Sequence, residues 1–382
     1  MADLIFRISP DIICGSHTYS RLNTFLKETG ERFLLIIDPN LKKLNFYEKI
    51  IQTLDDDQIK YILFDKFDEG AASKQIAEAI SIAKEAYIQG VISIGSSRAI
   101  NFAKAVCSLI NENFSIYDCI DGSPLKSKPL PLTAIPTTFR EPYIFSNLIP
   151  ITDSRSSRIK IINASPKITK LVIWDSEFSK TLDERKKNLM IFELFSQCFE
   201  TYISPKSSFF SDMFAEKAAE LLSYGMDGAK SLEITTPPEI LLAQGGCLAS
   251  VAAASSSAGV ASLLAMTINS RYSISRSLVA AILFPYILED ARQFKAERVE
   301  KIGRLMGVIP EGVENAEAVT AFADNIRQRL AKANLPVRLK DLSVSVDQLA
   351  LAAEDAGQLD IVNSLPRSMT TDDLFDILKQ AF

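Results

Sequence analysis

Along the first half of the chain, hydrophobic positions fall in short unbroken runs separated by stretches of helical length. Phe33-Leu34-Leu35-Ile36-Ile37, Tyr61-Ile62-Leu63-Phe64, Val91-Ile92-Ser93-Ile94 and Leu132-Thr133-Ala134-Ile135 each read as a buried strand. Between the second and third, Ala71 to Ile88 sets Ile76, Ala79, Ile80, Ile82 and Ala83 at helical spacing. Strands alternating with helices predict a parallel sheet with crossover connections. Phe145 to Ile151 and Ile159 to Ile162, joined through Thr152-Asp153-Ser154, predict an outlying hairpin, and Lys170 to Trp174 is the last strand in the pattern.

From Asp183 onward the period becomes helical, with breaks at Ser204-Pro205, Thr236-Pro237-Pro238 and Ile309-Pro310-Glu311-Gly312. Leu241 to Ile268 carries almost no charge, but its Gly245-Gly246 pair, serines and alanines make it weakly hydrophobic. Such a composition suits closely packed interior helices better than a bilayer span. A chain of 382 residues has the length for two cores. The expected fold is an α/β Rossmann-like N-terminal domain over residues 1–180, dinucleotide-binding in type, followed by an all-α domain over residues 181–382.

Composition narrows the function by exclusion. A net charge of −5, with 47% hydrophobic and 23% charged residues, offers no general attraction for nucleic acid or anionic lipid. No early run has the build of a signal peptide, so the chain reads as cytoplasmic, with neither nucleic acid nor membrane as partner. Cys14, Cys107, Cys119, Cys198 and Cys247 are scattered without paired spacing and read as reduced thiols. The single histidine, His17, limits any Cys/His pair to one cysteine; its loop position suits a capping or exposed role.

Candidate chemistry lies beyond the strand ends, where an open α/β sheet binds ligands. Gly95-Ser96-Ser97-Arg98 follows a strand and opens a helix. Ser96, Ser97 and Arg98 could contact a phosphate there, or the segment could be a helix N-cap with a solvated arginine. Asp38, after the first strong strand, is placed to accept hydrogen bonds from an adenine ribose, or to cap the turn that Asp38-Pro39-Asn40 implies.

These segments together resemble the iron-containing (group III) alcohol dehydrogenases, a branch of the dehydroquinate-synthase-like fold, over essentially the whole chain. Ile37-Asp38-Pro39-Asn40-Leu41 is similar to the family's T-D-P-x-L, and Gly95 to Lys104 to its G-G-G-S-x-x-D-x-A-K. Ile135-Pro136-Thr137-Thr138 matches I-P-T-T, and Ile151-Thr152-Asp153 the I-T-D hairpin. Trp174 to Phe178 resembles the D-P-E-L turn, and Asn363 to Arg367 with Asp372 to Phe382 resembles N-P-R-P and the closing helix. By this resemblance Asp38, Gly95, Ser96, Ser97, Arg98, Thr137 and Thr138 are the candidate cofactor-binding positions.

The departures fall on the family's chemistry. The metal-ligand Asp and His of D-A-L-x-H-A-I-E-A-Y fall on Glu193 and Gln197, the histidine of G-x-x-H-A-x-A-H on Ser262, and that of P-H-G on Arg276. The second histidine of G-x-x-H-A-x-A-H, near the substrate, falls on Met266. Glutamine and serine are poor ligands for a divalent transition metal, and a guanidinium has no lone pair to give. No metal is therefore expected. Arg276 and Glu193 remain as candidate catalytic residues, with the Arg276 cation standing in for the metal charge and pairing with Glu193. Arg140 and Glu141 replace glycines of the family's A-G-T-G-S-E and count against the usual binding of NAD(P), which stays a candidate cofactor.

Three functions follow in order. The first is a family member with a degenerate active site, serving as a binding or partner subunit. The second is an NAD(P)-dependent, metal-independent oxidoreductase for a small alcohol or aldehyde. The third is non-redox chemistry on the same scaffold. A small-molecule ligand in the interdomain cleft and a homodimer are implied by the resemblance, and the first reading adds a hetero-partner.

Overall fold

The computed structural model describes residues 6–27, 29–67, 72–165, 167–227 and 235–382. They form two compact units, one over Arg7–Leu182 and one over Asp183–Phe382 together with Phe6.

The first unit runs β1 (Asp11–Gly15), α1 (Leu22–Leu26), β2 (Arg32–Ile37), α2 (Asn45–Asp56), β3 (Lys60–Phe64), α3 (Ser73–Glu85), β4 (Gly90–Gly95), α4 (Ser97–Leu109), α5 (Ile116–Ile120), β5 (Leu132–Pro136), β6 (Leu148–Asp153), β7 (Arg158–Asn163) and β8 (Thr169–Asp175). One parallel sheet has the order β1-β8-β5-β4-β2-β3. The apolar runs of β2, β4 and β5 are covered on both faces, as parallel strands under crossover helices must be. Edge strand β1, Asp-Ile-Ile-Cys-Gly, is absent from the hydrophobic pattern because its apolar run is short and half exposed. Ala71, where the pattern begins the third helix, lies outside the described residues.

The two faces carry different helices. Leu22 and Leu26 of α1 and Ile50 and Leu54 of α2 join Phe33, Leu35, Ile37, Ile92 and Ile94 in one core cluster. Phe64 points the other way, as strand alternation requires, and stacks on Phe102 of α4 at 5.4 Å. The chain therefore leaves β2 toward one face and the adjacent β4 toward the other. That divergence is the switch point at which doubly wound sheets open a crevice for ligands.

The hairpin β6–β7 pairs Leu148 with Asn163 through Asp153 with Arg158, so its turn falls at Ser154–Ser157, later than the sequence pattern placed it. Asp153 sets the turn: its carboxylate accepts from the Arg155 backbone at 3.0 Å, and its carbonyl from Ser157 at 2.8 Å.

The second unit is helical among its described residues: α6 (Glu184–Ile203), α7 (Phe209–Asp227), α8 (Pro238–Ala254), α9 (Val260–Tyr272), α10 (Arg276–Leu305), α11 (Asn315–Lys332), α12 (Val346–Gly357) and α13 (Thr371–Gln380). Start signals in the sequence explain several ends. Asp183 caps α6 through the Lys186 amide, Pro238 opens α8, and Ser345 and Thr370 form capping boxes with Gln348 and Asp373. The uncharged stretch 241–268 becomes the buried faces of α8 and α9. Among the described residues no helix is long and apolar enough to cross a membrane.

Candidate functional site

The switch point brings the ends of β2, β4 and β5 together. The Asp38 amide donates to the Ile94 carbonyl and the Thr137 amide to the Gly95 carbonyl, each at 3.0 Å. Gly95 is required by space, since a Cβ there would stand 2.7 Å from the Ala99 Cβ and 3.0 Å from the Asp38 Cβ. Ser96 occupies the N-cap position of α4, but its hydroxyl makes no cap and instead donates to Asp38 Oδ2 at 3.3 Å.

Asp38 caps the turn Pro39–Lys43, accepting from the Asn40 amide at 3.2 Å. It also receives Arg98, whose Nη2 donates to Oδ1 at 3.0 Å and Oδ2 at 2.9 Å. The arginine side chain is only 19% exposed and lies over the Phe67 ring at 5.4 Å. The solvated-arginine reading is thus corrected. Arg98 sits in the first turn of α4 and reaches back to the strand end.

Residues 137–141, where the resemblance expects glycines, form a buried polar cluster with Ser97. Arg140 Nη1 donates to Ser97 Oγ at 3.1 Å, and the Thr138 hydroxyl donates to Glu141 Oε1 at 2.8 Å. Ser97, Thr137, Thr138, Arg140 and Glu141 are all buried. Two turns along α4, the fully enclosed Lys104 donates to the carbonyls of Tyr143 at 2.7 Å, Ser146 at 2.6 Å and Leu148 at 3.0 Å. Burial pulls its pKa down to about 7, while three carbonyl acceptors match the three N–H groups of an ammonium.

The other candidate positions belong to the helical unit. Glu193 and Gln197 lie buried on successive turns of α6, and the Gln197 amide donates to the Ala249 carbonyl of α8 at 3.0 Å. Ser262 stands in the first turn of α9, where its hydroxyl donates to Glu200 Oε2 at 2.6 Å. Glu200 Oε1 takes the Ala261 amide at 2.5 Å, so this carboxylate caps α9 from a neighbouring helix. Gly259 leaves it room, because a Cβ there would lie 2.4 Å from Glu200 Cδ. Enclosure pushes the Glu200 pKa up to about 7 despite these hydrogen bonds. Arg276 is the first residue of α10, half-buried, with its Nε shielded from solvent. Met266 is buried in α9. Among the described residues no group of three or more His, Cys, Asp and Glu side chains is placed to hold a metal ion.

His17 has an exposed side chain whose Nε2 lies 3.9 Å from Glu177 Oε1, and its backbone amide donates to Asp175 Oδ1 at 3.1 Å. Cys107, Cys198 and Cys247 are buried, and enclosure raises the Cys107 and Cys198 thiols well above their ordinary pKa. Sequence reasoning missed Lys104 and Glu200. Their signal was present: each is a lone charge inside an apolar helical run, Phe102-Ala103-Lys104-Ala105-Val106 and Cys198-Phe199-Glu200-Thr201-Tyr202.

Comparison with known proteins agrees on one group. The family described as "Iron-containing alcohol dehydrogenase" matches residues 9–176, and "Fe-containing alcohol dehydrogenase family, C-terminal" matches residues 191–382. The NAD-dependent methanol dehydrogenase of Bacillus methanolicus is 22% identical over 381 residues, 98% of this chain and 99% of that protein. Lactaldehyde reductase of Escherichia coli K12 is 21% identical over 372 residues, 96% of this chain and 97% of that protein. Among solved structures, an alcohol dehydrogenase from Oenococcus oeni superposes with a TM-score of 0.90 at 18% identity, covering 100% of both chains. At that identity the superposition establishes the fold.

Proposed function

This chain belongs to the iron-containing alcohol dehydrogenase family, and we propose that within it the protein works without the family's metal-dependent redox step, as a binding or partner subunit. The observation that carries this reading is the state of the four positions where the resemblance puts metal ligands. Gln197 offers a neutral amide whose N–H is taken by Ala249, and Ser262 gives its hydroxyl proton to Glu200. Arg276 brings a cation where a metal would need a donor, leaving Glu193 as the only anionic ligand of the set. This donor set does not fit a divalent transition metal.

The charge at these positions has its own logic. Arg276 opens α10, where the helix dipole already contributes positive potential, and no acidic residue occupies that first turn. A partly shielded guanidinium there calls for an anion from another element, and the buried Glu193 is the partner this reading assigns. Test the reading with metal-analysed protein, small aldehydes, NADH or NADPH, and added iron or zinc. No turnover above the protein-free control is expected; metal-dependent oxidation of the reduced cofactor would overturn it.

A second reading keeps redox chemistry without a metal. It is favoured by the Gly95 turn, which still opens a helix at the switch point beside Asp38, and by the name of the methanol dehydrogenase relative, which is NAD-dependent. In it, Arg276 would polarise a substrate carbonyl by hydrogen bonding. Chelator-treated protein that reduces an aldehyde with NADH, and loses that activity on Arg276→Gln, would select this reading over the first.

A further inference from the structure

We infer that residues 138–148 form an intramolecular plug over the turn before α4, and that Lys104 is the latch that holds it. The inference concerns the unit Arg7–Leu182 alone and does not depend on the fate of the metal positions.

The first amides of α4 begin at the switch point and have no intrahelical acceptors, which is what makes such a turn receptive to a pyrophosphate. Here the chain covers it. The Arg140 guanidinium donates to Ser97 Oγ at 3.1 Å, and the Ser97 hydroxyl stands 3.3 Å from the Arg140 carbonyl, so side chain and backbone of one residue bracket the first residue of the helix. Thr138 is tied to the same carbonyl at 3.3 Å and to Glu141 at 2.8 Å, which closes the cluster. A pyrophosphate approaching the α4 amides would need the volume these side chains fill.

The segment has a second anchor beyond this cluster. Lys104 lies seven residues after Ser97 on α4, about two turns and so on the same face. It binds three carbonyls of the segment that continues from Arg140 and Glu141, those of Tyr143, Ser146 and Leu148. With an anchor at each end, the segment cannot lift from Ser97 unless the buried Lys104 gives up three hydrogen bonds.

The test is calorimetric titration of the full chain with inorganic pyrophosphate and, separately, NADH, comparing wild type with Arg140→Gly. If the plug competes with the ligand, its removal tightens binding of both probes by roughly tenfold or more, since apparent affinity scales with the open fraction. Wild type and Arg140→Gly binding equally, or neither binding, would overturn the plug. The latch has its own readout in Lys104→Gln: amide hydrogen exchange across residues 139–148 should accelerate while β2 and β4 stay protected. Unchanged exchange in that segment would overturn the latch. Should Lys104→Gln fail to fold, Lys104→Arg, which keeps the charge but alters the three-way geometry, gives the same comparison.

Discussion

The Arg98 guanidinium donates to both carboxylate oxygens of Asp38, joining the first turn of α4 to the end of β2 across the switch point. Asp38 also accepts from Ser96 and from the backbone and side chain of Asn40. A carboxylate so engaged is structural first. Whatever enters the crevice must compete with Arg98 for it.

That pair should therefore be felt in stability. Asp38→Asn leaves a largely enclosed guanidinium without its counter-ion and should cost about 1–3 kcal/mol, with Asp38→Asn/Arg98→Gln costing less than the two single changes summed. Urea unfolding of the four proteins checks this. A single variant with the wild-type midpoint would show that the pair contributes nothing.

Gly95→Ala pushes a methyl group to 2.7 Å from the Ala99 Cβ. Both neighbours are anchored, one in α4 and one at a strand end, so the strain should cost about 1–3 kcal/mol. A thermal midpoint within error of wild type would mean that the turn is looser than the packing implies.

Glu200 makes stability depend on pH. Enclosure raises its pKa to about 7 from the ordinary 4.5, so between those values the folded state binds more protons than the unfolded state. Stability from this group is then full below about pH 4.5 and is lost as pH rises through about 7. Relative to Glu200→Gln, the wild type should lose as much as about 3 kcal/mol between pH 4.5 and 8. Parallel stability profiles for the two proteins would contradict the assignment.

For Glu193 and Arg276, a double-mutant cycle with Glu193→Gln and Arg276→Gln should give a coupling of about 0.5–3 kcal/mol if the cation is held by that carboxylate. Coupling indistinguishable from zero would remove the idea that one charge pair replaces the metal.

Much of the architecture is legible in the sequence because burial writes it there. The runs 33–37, 91–94 and 132–135 are apolar on both strand faces, and proline or cap residues mark the starts of α6, α8, α12 and α13. Edge strand β1 was hidden because half its positions face away from the core. At the candidate site the sequence offers candidate positions but not which residues pair. Arg98 meets Asp38 over a separation of 60 residues, Arg140 meets Ser97 over 43, and Glu200 meets Ser262 over 62. Local spacing carries no trace of such contacts; the topology that brings β2, β4 and β5 together makes those of the first unit, and the packing of α6 on α9 makes that of the second.

On the function proposed, Glu193, Gln197, Ser262 and Arg276 do not form a metal site. Calorimetric titration of metal-stripped protein with zinc, repeated anaerobically with ferrous iron, tests this. No saturable binding near one ion per chain is expected for either metal. Tight one-to-one binding that Glu193→Ala or Gln197→Ala abolishes would contradict it.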